Sequence, residues 1–227
     1  MARTVEDAAL VLEVLAGRQY DISNKGTDLR IGICKKGGMG ESKDSEWLKA
    51  NEELIVLMKG RFNCIEMPDH NIDDSFVFPI MQYEFKYAMN SYLAAYRKNP
   101  QVPKDLKEII EYNEKHADLT LKYGQGNLLA ANKVSDNWKN EPEHLKAITD
   151  RNNAISDLDK YFDENKIDVL FMCTAHYGLA PATGFPSITI PIGKTKAGLP
   201  IGCCFIARRL HEEVLLKVTK TLETALN

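Results

Sequence analysis

Two near-continuous apolar runs dominate the last third of the chain. They occupy residues 167–172 and 199–206, on either side of a short β-branched run at 187–190 that Pro191 and Gly193 close. Apolar runs without polar alternation are typical of strands that are buried on both faces of a sheet. The sequence therefore predicts the core of an α/β sheet in the C-terminal third, with the rest of the chain packed around it.

Elsewhere, apolar positions recur every three to four residues, which indicates helices with one buried face. The first is predicted over residues 4–16, with Thr4 as its N-cap and Gly17 at its end. Its apolar face is expected to include Leu15. Further helices are predicted over 45–60, 74–96, 142–164 and 211–226, with Leu145 on the inward face of the third of these.

The order of these elements predicts how the strands pair. Residues 29–34 and 62–67 flank the helix at 45–60, and such a strand–helix–strand unit favours a parallel pair. The short polar connection at 194–198 suits a hairpin, so the last two strands should be antiparallel. We therefore predict an α/β fold, with a mixed, mainly buried β-sheet flanked by helices, in a single domain over residues 1–227.

Composition and charge narrow the classes of function. The 227 residues are 44% hydrophobic and 27% charged, with a net charge of −3, as is ordinary for a soluble globular protein. This balance indicates neither a nucleic-acid nor a membrane partner. No apolar run reaches the roughly 18 residues of a membrane span, and no signal peptide is recognisable, so we expect a cytoplasmic protein.

Cysteine and histidine spacing predicts neither a metal site nor a cofactor. No two cysteines have C-x-x-C spacing, and the five histidines are scattered along the chain. We interpret most of the cysteines as small hydrophobic residues of the core in a reducing compartment. The cysteines are Cys34, Cys64, Cys173, Cys203 and Cys204.

Two segments leave alternatives open. The glycine-rich turn at 37–40 follows a strand, where it can cradle a phosphate, but its spacing fits no phosphate-binding motif and a flexible connection is favoured. The helix at 74–96 is rich in aromatic residues. A helix packed into the core is the favoured interpretation, and a substrate-facing wall is the alternative.

Several motifs resemble one known family. They are Gly-Phe-Pro-Ser-Ile-Thr-Ile-Pro-Ile-Gly at 184–193, Gly-Leu-Pro-Ile-Gly at 198–202 and Met-Ala-Arg-Thr-Val-Glu-Asp-Ala-Ala at 1–9. Together they resemble amidase signature enzymes, which are serine hydrolases of carboxamide bonds. The segments at 103–117 and 123–129 similarly match one branch of that family. The resemblance covers almost the whole chain, but only the second half of the family's fold.

The resemblance implies a substrate-binding role without catalytic residues. In the family, a lysine base, a serine in a cis peptide and a nucleophilic serine all lie upstream of the segment that matches residue 1. The loop at 173–186 corresponds to one that contacts the acyl part of the substrate. Carried over by position, the implied substrate-binding residues are His176, Tyr177, Thr183 and Phe185.

Two residues of this loop also invite a catalytic interpretation. His176 lies near Thr174, as a base lies near a nucleophile, but a loop histidine bonded to the backbone is favoured. Cys173 stands where the family more often has proline. At the end of an apolar strand, without a positive neighbour in sequence, it is expected to be inert.

Three functions follow, and the sequence leaves open whether the chain is an enzyme. The first is the C-terminal portion of an amidase-family hydrolase, inactive alone and acting on a small-molecule amide once an N-terminal portion completes it. A piece of a longer chain, a truncated gene product and a reading frame with an internal start are the alternatives. Met1 itself fits the family motif, which supports an internal start.

The second function is non-catalytic binding or assembly, completed by a partner chain or by self-association. It is motivated by the apolar surface and open strand edge that half of a fold would expose. The third and weakest is nucleotide binding at residues 37–40.

Overall fold

The computed structural model describes residues 1–23, 25–35, 45–68, 72–173 and 178–226, without the side chain of Ser45. Its contacts define two compact units. The sheet unit comprises Met1–Ile72 and Ala154–Asn227, and the helical unit comprises Asp73–Asn153. The assignment of one domain to the whole chain stays a prediction.

The structure contains both helices and strands, and the helices predicted over 4–16, 45–60, 74–96, 142–164 and 211–226 are all present. The helices are α1 (Val5–Ala16), α2 (Ser45–Lys59), α3 (Val77–Tyr96), α4 (Leu106–Lys115), α5 (Ala117–Thr120), α6 (Gly126–Asn132), α7 (Pro142–Asn165), α8 (Leu179–Thr183) and α9 (Glu212–Leu226). The strands are β1 (Arg30–Cys34), β2 (Asn63–Glu66), β3 (Val169–Met172), β4 (Ser187–Lys194) and β5 (Pro200–Ala207).

The five strands form one mixed sheet in the order β2-β1-β3-β5-β4. β1 pairs in parallel with β2 and with β3, whereas β5 is antiparallel to both β3 and β4. The parallel strand–helix–strand unit and the antiparallel hairpin are therefore both confirmed. The α/β fold with a mixed sheet is confirmed with them.

The central strands carry the core. Every residue of β3 is buried, as are most residues of β5, which confirms the interpretation of their uninterrupted apolar runs. Phe171 of β3 lies opposite Phe205 of β5, with ring centroids 5.2 Å apart. Aromatic rings at this distance pack favourably and add to the area they bury.

β4 is an edge strand, and it is longer than its sequence indicated. Only Ile190 is buried along it. The strand passes through Pro191 with a bulge between Pro191 and Gly193, and it ends at Lys194. The predicted closure at Pro191 is therefore wrong. An edge strand tolerates proline because no further strand needs the missing N–H group.

α1 has the predicted ends but not the full predicted face. The Asp7 backbone N–H donates to Thr4 Oγ1 over 3.0 Å, and Gly17 ends the helix at φ 65°. Val5 and Ala9 are buried, whereas Leu15 is 79% exposed. At 3.6 residues per turn, Leu15 is rotated by about 80° from Val5, so it falls outside the buried stripe.

The helical unit has a small core of its own. Leu106, Ile110 and Ala131 are its buried residues, and Phe85 and Leu128 pack against them. Phe85 and Met89 of α3 pack against this core, and Phe76 just before the helix is buried, which agrees with the favoured interpretation of a helix packed into a core. No residue within α3 itself is fully buried. Its apolar residues surround the helix, and a single core on one side leaves several of them at the surface.

α7 also differs from its predicted face. Leu145 is 51% exposed, whereas Leu158 and Phe162, which the same apolar pattern includes, are buried as expected. The other buried positions are His144, Ala147 and Ala154. Within the described ranges, each helix is too short or too polar to cross a lipid bilayer.

Candidate functional site

Three parallel strands end at one edge of the sheet, and the candidate site begins there. β2, β1 and β3 end at Glu66, Cys34 and Met172. In open α/β sheets, ligands bind outside the carboxyl ends of the parallel strands. Cys173, the first residue of the predicted substrate loop, donates its backbone N–H to the Cys34 carbonyl over 3.4 Å.

The second half of this loop folds into a short helix. α8 ends at Gly184, whose φ of 79° is readily adopted only by glycine. The Phe185 N–H closes the turn on the Ala180 carbonyl over 2.9 Å. The hydroxyl group of Thr183 is buried and donates to the Leu179 carbonyl over 2.7 Å. The Thr183 hydroxyl group is therefore bonded within the helix itself.

Thr183 and Phe185 therefore lie close together but point into the fold. Phe185 is 3% exposed, and its ring centroid lies 6.0 Å from that of Phe162. Their contact with a substrate stays a prediction. His176 and Tyr177, the other two predicted substrate-binding residues, lie outside the described residues, as do Thr174 and the glycine turn at 37–40.

Cys173 has the wrong electrostatics for a nucleophile. Burial raises the pKa of its thiol to about 12, and the neighbouring Cys34 adds to the effect. Burial likewise raises the pKa of Cys203. Because the thiolate is the reactive form, both thiols are inert near neutral pH. Cys34, Cys203 and Cys204 are buried, and Cys64 and Cys173 are half-buried, which agrees with a structural role.

Glu66 is the last residue of β2 and places a carboxylate at this edge of the sheet. Lys59 Nζ lies 3.0 Å and Lys35 Nζ 3.4 Å from Glu66 Oε1. Hydrogen bonds from Lys59 and then Lys35 lower the pKa of Glu66. A lowered pKa makes a carboxylate a weaker base, so Glu66 is poorly suited to abstract a proton.

Serine hydroxyl groups of the described chain also serve turns. Ser23 donates to Asp21 and Ser75 donates to Asp73, each over 2.6 Å. Each aspartate also accepts the backbone N–H of the same serine, as in an Asx turn. These bonds lower the pKa of both aspartates, which makes them weak bases for activating the serines.

Sequence reasoning missed a buried histidine in the helical unit. Neither ring nitrogen of His144 has a hydrogen-bond partner in the described part of the chain, although Glu84 Oε1 lies 3.5 Å from Nε2. The Trp138 ring packs edge-on against the imidazole at 4.9 Å. Histidine, glutamate and tryptophan stand on separate segments, so no local pattern could indicate the cluster.

Sequence reasoning also missed two concave surfaces. A groove of about 480 Å³ runs between α1, β4 and the start of α9, and Val11, Leu15 and Ile188 are among its lining residues. A smaller pocket of about 190 Å³ lies between α3 and α6 in the helical unit. Both are lined by segments that are distant in sequence.

Comparison with known proteins identifies the fold. The structure matches the amidase signature fold, which confirms the resemblance drawn from the sequence. It is similar to an amidase family protein from Bacillus anthracis str. Ames, with a TM-score of 0.79 and 25% identity. It is also similar to the native peptide amidase from Stenotrophomonas maltophilia, with a TM-score of 0.81 and 22% identity.

Each match covers almost all of this chain but only about half of the other protein. The matches cover 99% of this chain and 47% of the first protein, and 100% of this chain and 52% of the second. The chain thus spans about half the length of these structural relatives, as a C-terminal portion of the fold would.

Sequence comparison gives a shorter match. The chain is 47% identical over 38 residues to a glutamyl-tRNA(Gln) amidotransferase subunit from Treponema denticola, which is 17% of this chain and 8% of that protein. No family model matches the chain.

Proposed function

We propose that the chain is the C-terminal portion of an amidase-family serine hydrolase of carboxamide C–N bonds, and that it does not hydrolyse amides alone. One observation carries the proposal. Almost the whole chain superposes on half of an amidase family protein, with a TM-score of 0.79 at 25% identity. The sequence motifs at the chain start and around β4 support it independently.

The expected inactivity follows from the chemistry of the reaction. Amide hydrolysis by a serine enzyme needs a nucleophile, a base and donors for the oxyanion. The family resemblance implies that the lysine and both serines precede the matched segment. Among the described residues, Cys173 is no replacement, because the raised pKa of its thiol keeps it protonated. Ser23 and Ser75 are no replacement either, because the aspartates that bind them have lowered pKa values and are weak bases.

In this proposal the chain supplies the scaffold and one wall of the substrate site. The loop between β3 and β4 starts at the carboxyl edge of the sheet, where substrates of α/β proteins bind. The substrate is a small-molecule amide, contacted through His176, Tyr177, Thr183 and Phe185. Because Thr183 and Phe185 are buried, their contact with the substrate requires the loop to rearrange around it.

An amidase assay tests this proposal directly. The purified 227-residue chain is incubated with a peptide amide and with a short aromatic amide, and ammonia release is measured. The peptide amidase from Stenotrophomonas maltophilia serves as the positive control. We expect release no faster than in buffer. Turnover by the chain that a serine-directed inhibitor abolishes would refute the proposed inactivity.

A second candidate is a non-catalytic binding or assembly protein, completed by a partner chain or by a second copy. One observation favours it: α1 exposes more than half of each of four apolar side chains, and β4 forms the adjacent edge of the sheet. Contiguous apolar surface of this kind marks an interaction site. The four side chains are Leu10, Val11, Val14 and Leu15.

Association in solution tests the second candidate. Sedimentation velocity is measured over a hundredfold range of concentration, together with the fluorescence of an apolar dye. Self-association predicts a sedimentation coefficient that rises with concentration, and an unfilled partner site predicts dye binding by a monomer. A monomer that binds no dye at any concentration contradicts this candidate.

A further inference from the structure

α1 is apolar on two opposite faces. Its inward face holds Val5 and Ala9, which are buried, and Leu12, which packs against the core of the sheet unit. At about 100° per residue, Val14 lies about 180° around the helix from Val5. A surface helix ordinarily carries polar residues on the side away from the core. The outward face of α1 instead carries an apolar stripe, each member of which is more than half exposed: Leu10, Val11, Val14 and Leu15.

The outward stripe has opposite charges at its two ends. Asp7 lies one turn before it, about 20° around the helix from Val14. The Asp7 side chain is exposed and forms no ion pair within the described ranges. Arg18 follows the other end and is 49% exposed. Its Nη2 bonds Glu212 over 2.9 Å and the Leu210 carbonyl over 3.3 Å. A guanidinium has five N–H donors, so donors remain for a further carboxylate.

This order of groups is self-complementary. The midpoint in sequence between Asp7 and Arg18 is also the midpoint of the stripe, because positions 10, 11, 14 and 15 are placed evenly about it. A second α1 laid antiparallel about this midpoint sets apolar residues against apolar residues. It also brings each Asp7 beside the Arg18 of the other copy. Such an isologous contact closes on itself as a dimer with twofold symmetry.

We propose that two copies of this chain associate through the outward stripe of α1, packed antiparallel. The groove beside α1, lined by Leu15 and Ile188, extends the apolar contact to β4. A contact centred on one 12-residue helix is smaller than the about 800 Å² per partner of a standard interface. We therefore expect a weak dimer with a dissociation constant of about 10–100 µM. The proposal rests on the second candidate above, and its failure leaves the proposed amidase portion standing.

Sedimentation velocity of the purified chain from about 2 to 200 µM tests the association. We expect a monomer at the lowest concentration and a dimer at the highest. Val14→Glu places a carboxylate from each copy in the middle of the apolar contact, which should weaken association at least about tenfold. Val56→Glu is the matched control, because Val56 is 72% exposed on α2 and lies outside the groove. It should associate like the unmodified chain.

Charge reversal tests whether Asp7 meets Arg18 of the other copy. Asp7→Arg and Arg18→Glu each set like charges opposite one another in a dimer of identical copies. Each variant alone should therefore associate at least about threefold more weakly than the unmodified chain. Mixed in equal amounts, the two variants restore both pairs of opposite charges, so the mixture should associate about as strongly as the unmodified chain. Far-UV circular dichroism shows that each variant is folded.

Each result decides the matter. Association that Val14→Glu weakens and Val56→Glu does not, together with recovery in the mixture, supports the proposal. A monomer at every concentration overturns it, and a monomer that binds an apolar dye assigns the stripe to a different partner. Association that Val14→Glu leaves unchanged also overturns it, because the copies then meet elsewhere. A mixture that associates no more strongly than its components overturns the pairing of Asp7 with Arg18.

Discussion

Replacing Phe185 by alanine separates a structural role from a substrate-binding role. The side chain is 3% exposed and its ring centroid lies 6.0 Å from that of Phe162. Truncation therefore removes nearly the whole buried ring and leaves a cavity between β4 and α7. Buried Phe→Ala substitutions cost about 3–5 kcal/mol of unfolding free energy, out of a typical total of about 5–15 kcal/mol.

Urea denaturation followed by far-UV circular dichroism measures this loss. With a slope of about 2–3 kcal/mol per molar urea, the midpoint should fall by about 1–2.5 M. Phe78→Ala is the control, because that ring is 55% exposed and its loss should cost less than about 1 kcal/mol. A loss below about 1 kcal/mol for Phe185→Ala would refute the packing argument and return the ring to the substrate wall.

Three further predictions concern the sheet unit. Thr4→Ala removes the acceptor of the Asp7 N–H and should cost about 1 kcal/mol in the same urea assay, whereas the exposed Thr27→Ala should be neutral. Burial raises the pKa of Cys173 to about 12 in the folded chain, whereas the unfolded thiol has a pKa of about 8.5. The neutral thiol therefore contributes its full stability below about pH 8.5, and this contribution is lost as pH rises towards 12. The melting temperature should consequently fall more between pH 8 and 10 in the unmodified chain than in Cys173→Ala, and parallel curves would contradict this. Leu15→Lys should reduce dye binding and self-association by charging the α1 groove, while the similarly exposed Leu119→Lys should leave both unchanged.

Much of the sheet unit was predictable because its signals are local. Most residues of the apolar runs that became β3 and β5 are buried, and the spacing of elements indicated which pairs are parallel. Thr4 and Gly17 marked the ends of α1 through capping groups that lie within a few residues of the helix. Such patterns act over one turn or one strand, and tertiary packing agreed with them.

Burial on the helices was less predictable, because it depends on which partner covers each face. Leu15 and Leu145 have the periodicity of inward residues, yet both lie at the surface. Meanwhile His144 is buried beside Trp138, in a place where the sequence shows only a polar helix start. A helix offers more than one apolar stripe, and the neighbouring elements decide which stripe is covered.

The candidate site likewise has one part that local sequence signals predict and other parts that depend on tertiary packing. The position of the loop after β3 follows from strand order, but the conformation of Phe185 depends on Phe162, which lies on α7. The α3–α6 pocket needs two helices whose nearest residues are about 30 positions apart in sequence. Neither arrangement leaves a local pattern.

Pro191 and the adjoining bulge in β4 have a consequence for the handling of the purified protein. An incoming strand meets regular backbone only over Ser187–Ile190, which spans about 13 Å at roughly 3.3 Å per residue. Amyloid spines use segments of about six or seven residues that lack proline. The β4 edge of the sheet is therefore too short to seed fibrils.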